Sequence, residues 1–272
     1  MRYGICTGSD NLLPALTAGY DFVELGMSEL MPSQDDSVFT PVRLALLASP
    51  IPLEACNCFL PAALKVVGAN VDLAAVRDYM ATALRRAAEV GISVVVFGSG
   101  GARSIPDGFP PATALQQLSD AVHLAADIAA SFGITIAIEP LGTECNLINT
   151  SFEGEKFIEQ LGHPHAQLLV DIYHMSCQNE SFAPLRTLAS HLVHVHLDSF
   201  HLPPLSGGRD YDAPAFFTAL ACGGYQGRFS LEDHSNFVNN TENKLTFTEA
   251  ASKQLAIIKA HWEAAQNNNG TS

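Results

Sequence analysis

The chain has 272 residues, 14 of them basic and 28 acidic, for a formal charge of −14 with histidine neutral. A polyanion of this kind repels phosphodiester backbones, whose binding draws on cationic contacts, so nucleic acid is excluded as a partner. Apolar residues make up 47% and charged residues only 15%, against about 25% in an average soluble domain, which demands a large buried core.

Along the chain, short β-branched or apolar runs alternate with helical stripes. A strand is expected over 2–7, a helix over 11–18, a strand over 21–25, a helix over 41–48 and a strand over 51–59. Asp72 then caps a stripe of Leu73, Val76, Met80 and Leu84 that stops at Gly91. After a strand over 92–97, a second stripe opens near Pro111, carries Leu115, Leu118, Val122 and Ala126, and stops at Gly133. The remaining strands are expected over 134–139, 166–171, 192–197 and 228–232, with helices over 152–161, 184–190, 212–221 and 248–264. Strand followed by helix, eight times over, predicts an α/β fold: a single (β/α)8 TIM barrel spanning 1–265, followed by a disordered tail over 266–272 rich in Asn and small residues.

No apolar run approaches the ~18 residues of a membrane span, and nothing near Met1 reads as a signal peptide. The expectation is a cytoplasmic protein with no membrane partner, and a homo-oligomer is left open. Six scattered cysteines read as reduced thiols. Cys56 and Cys58 would share a strand face, but they are too few for a thiolate zinc site and read as packing.

Active residues of such barrels cluster at the C-terminal ends of the strands. Glu139 ends the fifth strand, Asp171 the sixth, Glu232 the eighth, and His196 lies near the end of the seventh. Side chains alternate between the barrel interior and the helix layer. Thr135, Ala137 and Glu139 therefore share the inward face, while Ile134, Ile136 and Ile138 face the helices; Ser230 and Glu232 repeat this on the eighth strand. Three carboxylates and an imidazole at one mouth repel one another unless a cation stands between them. Such a donor set suits Mn²⁺ best, with Mg²⁺, Co²⁺ or Zn²⁺ as alternatives. His194, on the same face as His196 but a layer deeper, reads as a core or supporting group. His174, in the loop after Asp171, is placed to reach metal or substrate, and substrate is favoured. His234, two residues beyond Glu232, fits no single role. The run Gly98, Ser99, Gly100, Gly101, with Arg103 or Lys65 nearby, either cradles an anion or is a tight turn.

Several stretches then carry a resemblance. IAIEPLGTECNLINT around Glu139, DIYHM at Asp171, HLVHVHLDS at His196 and GRFSLE at Glu232 are similar to the xylose isomerase-like barrels, the sugar-phosphate isomerases and epimerases. The segment from Asp21 to Gly26 and FGSGGAR from Phe97 to Arg103 extend the likeness over nearly the whole barrel. The resemblance, which includes the family's ketose 3-epimerases, implies that Glu139, Asp171, His196 and Glu232 bind one divalent metal, often Mn²⁺. It implies further that Glu139 and Glu232 exchange protons with the substrate, and that Glu144 and His174 contact sugar hydroxyls. The chain departs from those epimerases in lacking an arginine shortly after His196, where it reads Leu197, Asp198, Ser199, Phe200, His201, Leu202. The loop from Glu139 to Glu144 is also a residue shorter. Metal binding thus carries over better than substrate identity.

The expected activity is a metal-dependent isomerase or epimerase acting on a sugar or sugar-like α-hydroxyketone through an enediolate. A metal-dependent dehydratase or lyase on a polyol or keto sugar shares the same first step. An apurinic-site endonuclease would need histidines after the third and fourth strands, yet the first histidine in the chain is His123. A non-catalytic sugar-binding barrel is the remaining alternative.

Overall fold

Eight parallel strands pair in chain order and the last closes on the first. In the computed structural model, which describes residues 1–199, 211–234, 238 and 245–269, these are β1 (Arg2–Cys6), β2 (Phe22–Gly26), β3 (Leu53–Asn57), β4 (Val94–Phe97), β5 (Thr135–Ile138), β6 (Ala166–Asp171), β7 (Leu192–Leu197) and β8 (Arg228–Leu231). The helices are α1 (Leu12–Ala18), α2 (Asp36–Leu47), α3 (Leu73–Glu89), α4 (Gly100–Arg103), α5 (Pro111–Ala130), α6 (Ser151–Leu161), α7 (Ile172–Cys177), α8 (Leu185–Leu188), α9 (Ala213–Cys222) and α10 (Phe247–Asn269). The fold is the expected single (β/α)8 barrel.

Strand parity sorts the core into two layers. Val23, Leu25, Val95, Phe97, Ile136, Ile138, Leu168, Val170, Val195 and Phe229 pack outward against the helices. Phe22, Ala55, Val94, Val96, Ala137 and Leu169 fill the barrel interior. Phe22 fits there because Gly4 on the neighbouring strand has no side chain; a Cβ at Gly4 would stand 2.2 Å from the Phe22 ring.

Local signals hold where they are chemical. Asp72 caps α3, its carboxylate accepting from the N–H groups of Ala74 and Ala75, and Gly91 and Gly133 follow α3 and α5 at positive φ. Four expectations are corrected. α2 starts at Asp36 rather than at Pro41, with the proline inside. Arg85 and Arg86 grip the Asp36 carboxylate at 2.6 and 2.8 Å, and the Thr40 hydroxyl donates to the Asp36 carbonyl, so tertiary contacts hold a start that propensity alone misses. His174 lies on α7, not in a loop: Asp171 accepts the Tyr173 N–H at 2.7 Å and starts a helix too short to show a period. The tail expected to be disordered from Gln266 continues α10 as far as Asn269; residues 270–272 lie outside the described ones. Cys58 sits past β3 at φ 53, so it shares no strand face with the buried Cys56. No described helix is long and apolar enough to cross a membrane.

Candidate active site

The pairing register fixes which strand ends meet. Asp171 of β6 lies beside His196 of β7, and His196 lies beside Ser230 of β8, two residues before Glu232. Glu139 and Glu232 are the first residues past β5 and β8, with their backbone N–H groups still donating to Phe97 and Leu197 on the preceding strands. Alternation along each strand then aims all four side chains at one mouth.

There they converge. Ligand atoms of Glu139, Asp171, His196 and Glu232 all lie within 4.8 Å of one another, a group able to hold a metal ion. His196 is fully buried, Asp171 and Glu139 nearly so. The His196 Nδ1 stands 2.7 Å from Glu232 Oε2 and 3.1 Å from Glu139 Oε1, so one nitrogen faces both glutamates. Burial pushes the Glu139 carboxyl above the usual range despite its hydrogen bond to His196. Burial acts on Glu232 in the same sense, but the charge and hydrogen bond of His196, joined by His234, hold its carboxyl well below that range. The pair is thus set apart in acidity.

The loops that hold these groups are tied from below. Arg103, only 1% exposed, donates from Nε to the Gly98 carbonyl at 2.6 Å and from its two terminal nitrogens to the carbonyls of Leu147 and Glu139, at 2.5 and 2.7 Å. The Lys65 ammonium donates to the Gly101 carbonyl. Both cations are thus spent on backbone oxygens, and the run itself opens the short helix α4. Gly98 is needed for a different reason: a Cβ there would stand 2.5 Å from Glu139 Oε2.

His174 is buried on α7, its Nδ1 accepting the Gly142 N–H at 3.2 Å, so the proton is on the other nitrogen. Glu144 is exposed on the loop after β5, outside the close group. His234 stands with its Nε2 3.1 Å from Asp171 Oδ2 and its ring stacked on Tyr173 at 4.0 Å. It forms a second close group with Asp171 and His174. Of the segment following His196, Phe200, His201 and Leu202 lie outside the described residues.

Two residues of the site escaped the sequence. Asn57, the last residue of β3, donates to Glu232 Oε1 at 3.1 Å. It was hidden because the strand was expected to run on to Phe59. Glu24, in the middle of β2, is fully buried, with Oε1 2.9 Å from His196 Nε2 and Oε2 2.8 Å from His194 Nε2. Its signal was available: a carboxylate on the inward face of an apolar strand, in register with Phe22. His194 sits a layer below His196, as its spacing suggests.

The chain is similar to several known proteins. It is 34% identical over 133 residues to a ketose 3-epimerase of Arthrobacter globiformis, covering 47% of this chain and 45% of that one. It is 33% identical over 118 residues to an L-ribulose 3-epimerase of Methylomonas sp., covering 43% and 41%. Each match thus spans less than half the length of the relative. A solved structure of D-psicose 3-epimerase with D-tagatose from Clostridium cellulolyticum H10 superposes with a TM-score of 0.79 over 96% of this chain and 99% of the other, at 19% identity, and so shares the fold. The model of the xylose isomerase-like TIM barrel family matches residues 13–252. With the greater part of its length matched, the chain belongs to the xylose isomerase-like TIM barrel family.

Proposed function

We propose that the chain is a divalent-metal-dependent epimerase or isomerase of a small sugar or sugar-like α-hydroxyketone, with Glu139, Asp171, His196 and Glu232 holding one ion. The observation that carries this reading is the convergence of those four side chains, with two glutamates facing one imidazole nitrogen. The residues fit a cation. Among the described residues, the cluster draws imidazoles into its midst, His196 between the glutamates and His234 onto Asp171, as a group short of positive charge does. Mn²⁺ suits three carboxylates and an imidazole best, with Mg²⁺, Co²⁺ or Zn²⁺ as alternatives.

When bound, the ion supplies a Lewis acid that stabilises negative charge on the substrate oxygens. Everything else falls to the chain. Glu139 is fixed through its carbonyl by Arg103, and Glu232 through one oxygen by Asn57, so the two carboxyls reach the mouth from strands on either side of β6 and β7. One takes the proton from the carbon next to the carbonyl and the other delivers a proton to the opposite face, which inverts that carbon. His174 has its Nδ1 engaged by Gly142 and offers its remaining N–H to a sugar hydroxyl. Glu144 serves as a second hydroxyl contact when its side chain turns inward from the loop. The relatives named as ketose and L-ribulose 3-epimerases support inversion over migration of the carbonyl.

The test is incubation with Mn²⁺ and D-fructose, D-psicose or L-ribulose in deuterated water. Deuterium should appear at C3 together with the 3-epimer. Absence of both deuterium exchange and conversion for every ketose, with the ion bound, overturns the reading.

A further inference from the structure

Beneath the mouth, a chain of three fully buried polar groups crosses the apolar interior of the barrel. His194, Glu24 and His196 are all at 0% exposure, and Glu24 lies between the two imidazoles with an oxygen for each, at 2.8 and 2.9 Å. Phe22, Ala55, Val94, Val96, Ala137 and Leu169 form the apolar filling of that interior. An ionised carboxylate only accepts hydrogen bonds, so both Nε2 atoms must carry protons. That leaves Nδ1 of His196 as the nitrogen facing Glu139 and Glu232, and its lone pair as the one an ion bound between those glutamates would take. At the far end, His194 Nδ1 is buried and finds no hydrogen-bond partner among the described residues. A proton placed there would be an unsatisfied buried donor, which costs more than an unmet acceptor lone pair on the same ring. The far end of the chain therefore reinforces the same tautomer.

We propose that Glu24 is a positioning residue for the metal centre: it fixes His196 as the Nε2–H tautomer, with Nδ1 free to ligate, and His194 locks Glu24 in place by engaging its other oxygen. This rests on the metal reading of the four-residue group. Buried carboxylates behind ligating histidines orient the ring and raise its basicity.

Glu24→Gln tests the arrangement because a glutamine has the same shape but offers one acceptor and one donor. Its amide N–H₂ must face one of the two imidazoles. Facing His196, it moves that proton to Nδ1 and blocks ligation; facing His194, it forces an orphan N–H into the core. Calorimetric titration of the purified chain with Mn²⁺ should show Glu24→Gln binding about 10–100-fold more weakly than wild type. Equal Mn²⁺ affinity in wild type and Glu24→Gln overturns the proposal.

A second measurement works without metal. Long-range ¹H–¹⁵N NMR on the histidine-labelled, metal-free chain should find Nε2 protonated on both His194 and His196. A His196 Nε2 without a proton overturns the tautomer assignment even in a folded variant set. A wild-type chain that takes up no Mn²⁺ while showing both Nε2 protons would instead overturn the metal reading, so the two failures are distinguishable.

Discussion

Glu139 and Glu232 look at the same imidazole nitrogen from two sides, but burial lifts one carboxyl while His196 and His234 depress the other. Groups whose environments push their acidities apart are suited to opposite roles in proton transfer. Replacing either by glutamine keeps an oxygen and removes the transferable proton. Turnover of Glu139→Gln and Glu232→Gln should each fall by about 10²–10⁴-fold, the usual contribution of a general acid or base. Each glutamate is also a proposed ligand, so both variants should hold less metal than wild type, measured by elemental analysis. Turnover of both variants within about threefold of wild type would leave the proton-transfer pair without support.

At the scale of single elements, the barrel depends on close approach as much as on hydrophobic pattern. β1 passes β2 with Gly4 against Phe22, and the 2.2 Å separation that a methyl group would meet there cannot be relieved by turning a flexible side-chain end. Gly4→Ala should destabilise by about 1–3 kcal/mol, the typical cost of overpacking a dense core, read by urea denaturation. The start of α3 provides the contrast. Asp72 acts through two backbone N–H groups, so Asp72→Ala should cost about 1 kcal/mol and leave metal binding untouched. A larger loss for Asp72→Ala than for Gly4→Ala would contradict this ranking of packing over capping.

On the scale of the whole molecule, charge in the interior links stability to pH and to metal. Burial alone would raise the Glu24 carboxyl, but His196 and His194, each hydrogen-bonded to one of its oxygens, reverse this and hold it far below the usual range. A carboxyl depressed in the folded state stabilises the fold fully above its unfolded pKa, about 4.3, and loses that contribution as pH falls below it. The difference in Tm between wild type and Glu24→Gln, both metal-free, should therefore be largest near neutral pH and shrink below about pH 4. A constant difference across that range would show that Glu24 is not ionised in the fold. An ion bound only by the folded chain adds stability by mass action, about 2.7 kcal/mol at a hundredfold excess over Kd. Removing it with a chelator should lower Tm in wild type and have less effect in Asp171→Asn.

What the chain order and periodicity determined by themselves was the architecture: eight strands, their helices, and the inward parity that delivers Glu139, Asp171, His196 and Glu232 to one end. These are local properties, because alternation along a strand and the position of a strand end are written in consecutive residues. The corrections have the opposite character. The start of α2 depends on Arg85 and Arg86, which are about fifty residues away from Asp36, and the buried Arg103 is explained only by the carbonyls of three loops meeting around it. Glu24 is the clearest case. In the sequence it is one acid in an apolar run, and its partners follow 170 and 172 residues later. Only closure of the barrel brings β2 across from β7, and a carboxylate enclosed on all sides then has no water to turn to and must take its hydrogen bonds from the two histidines it meets there.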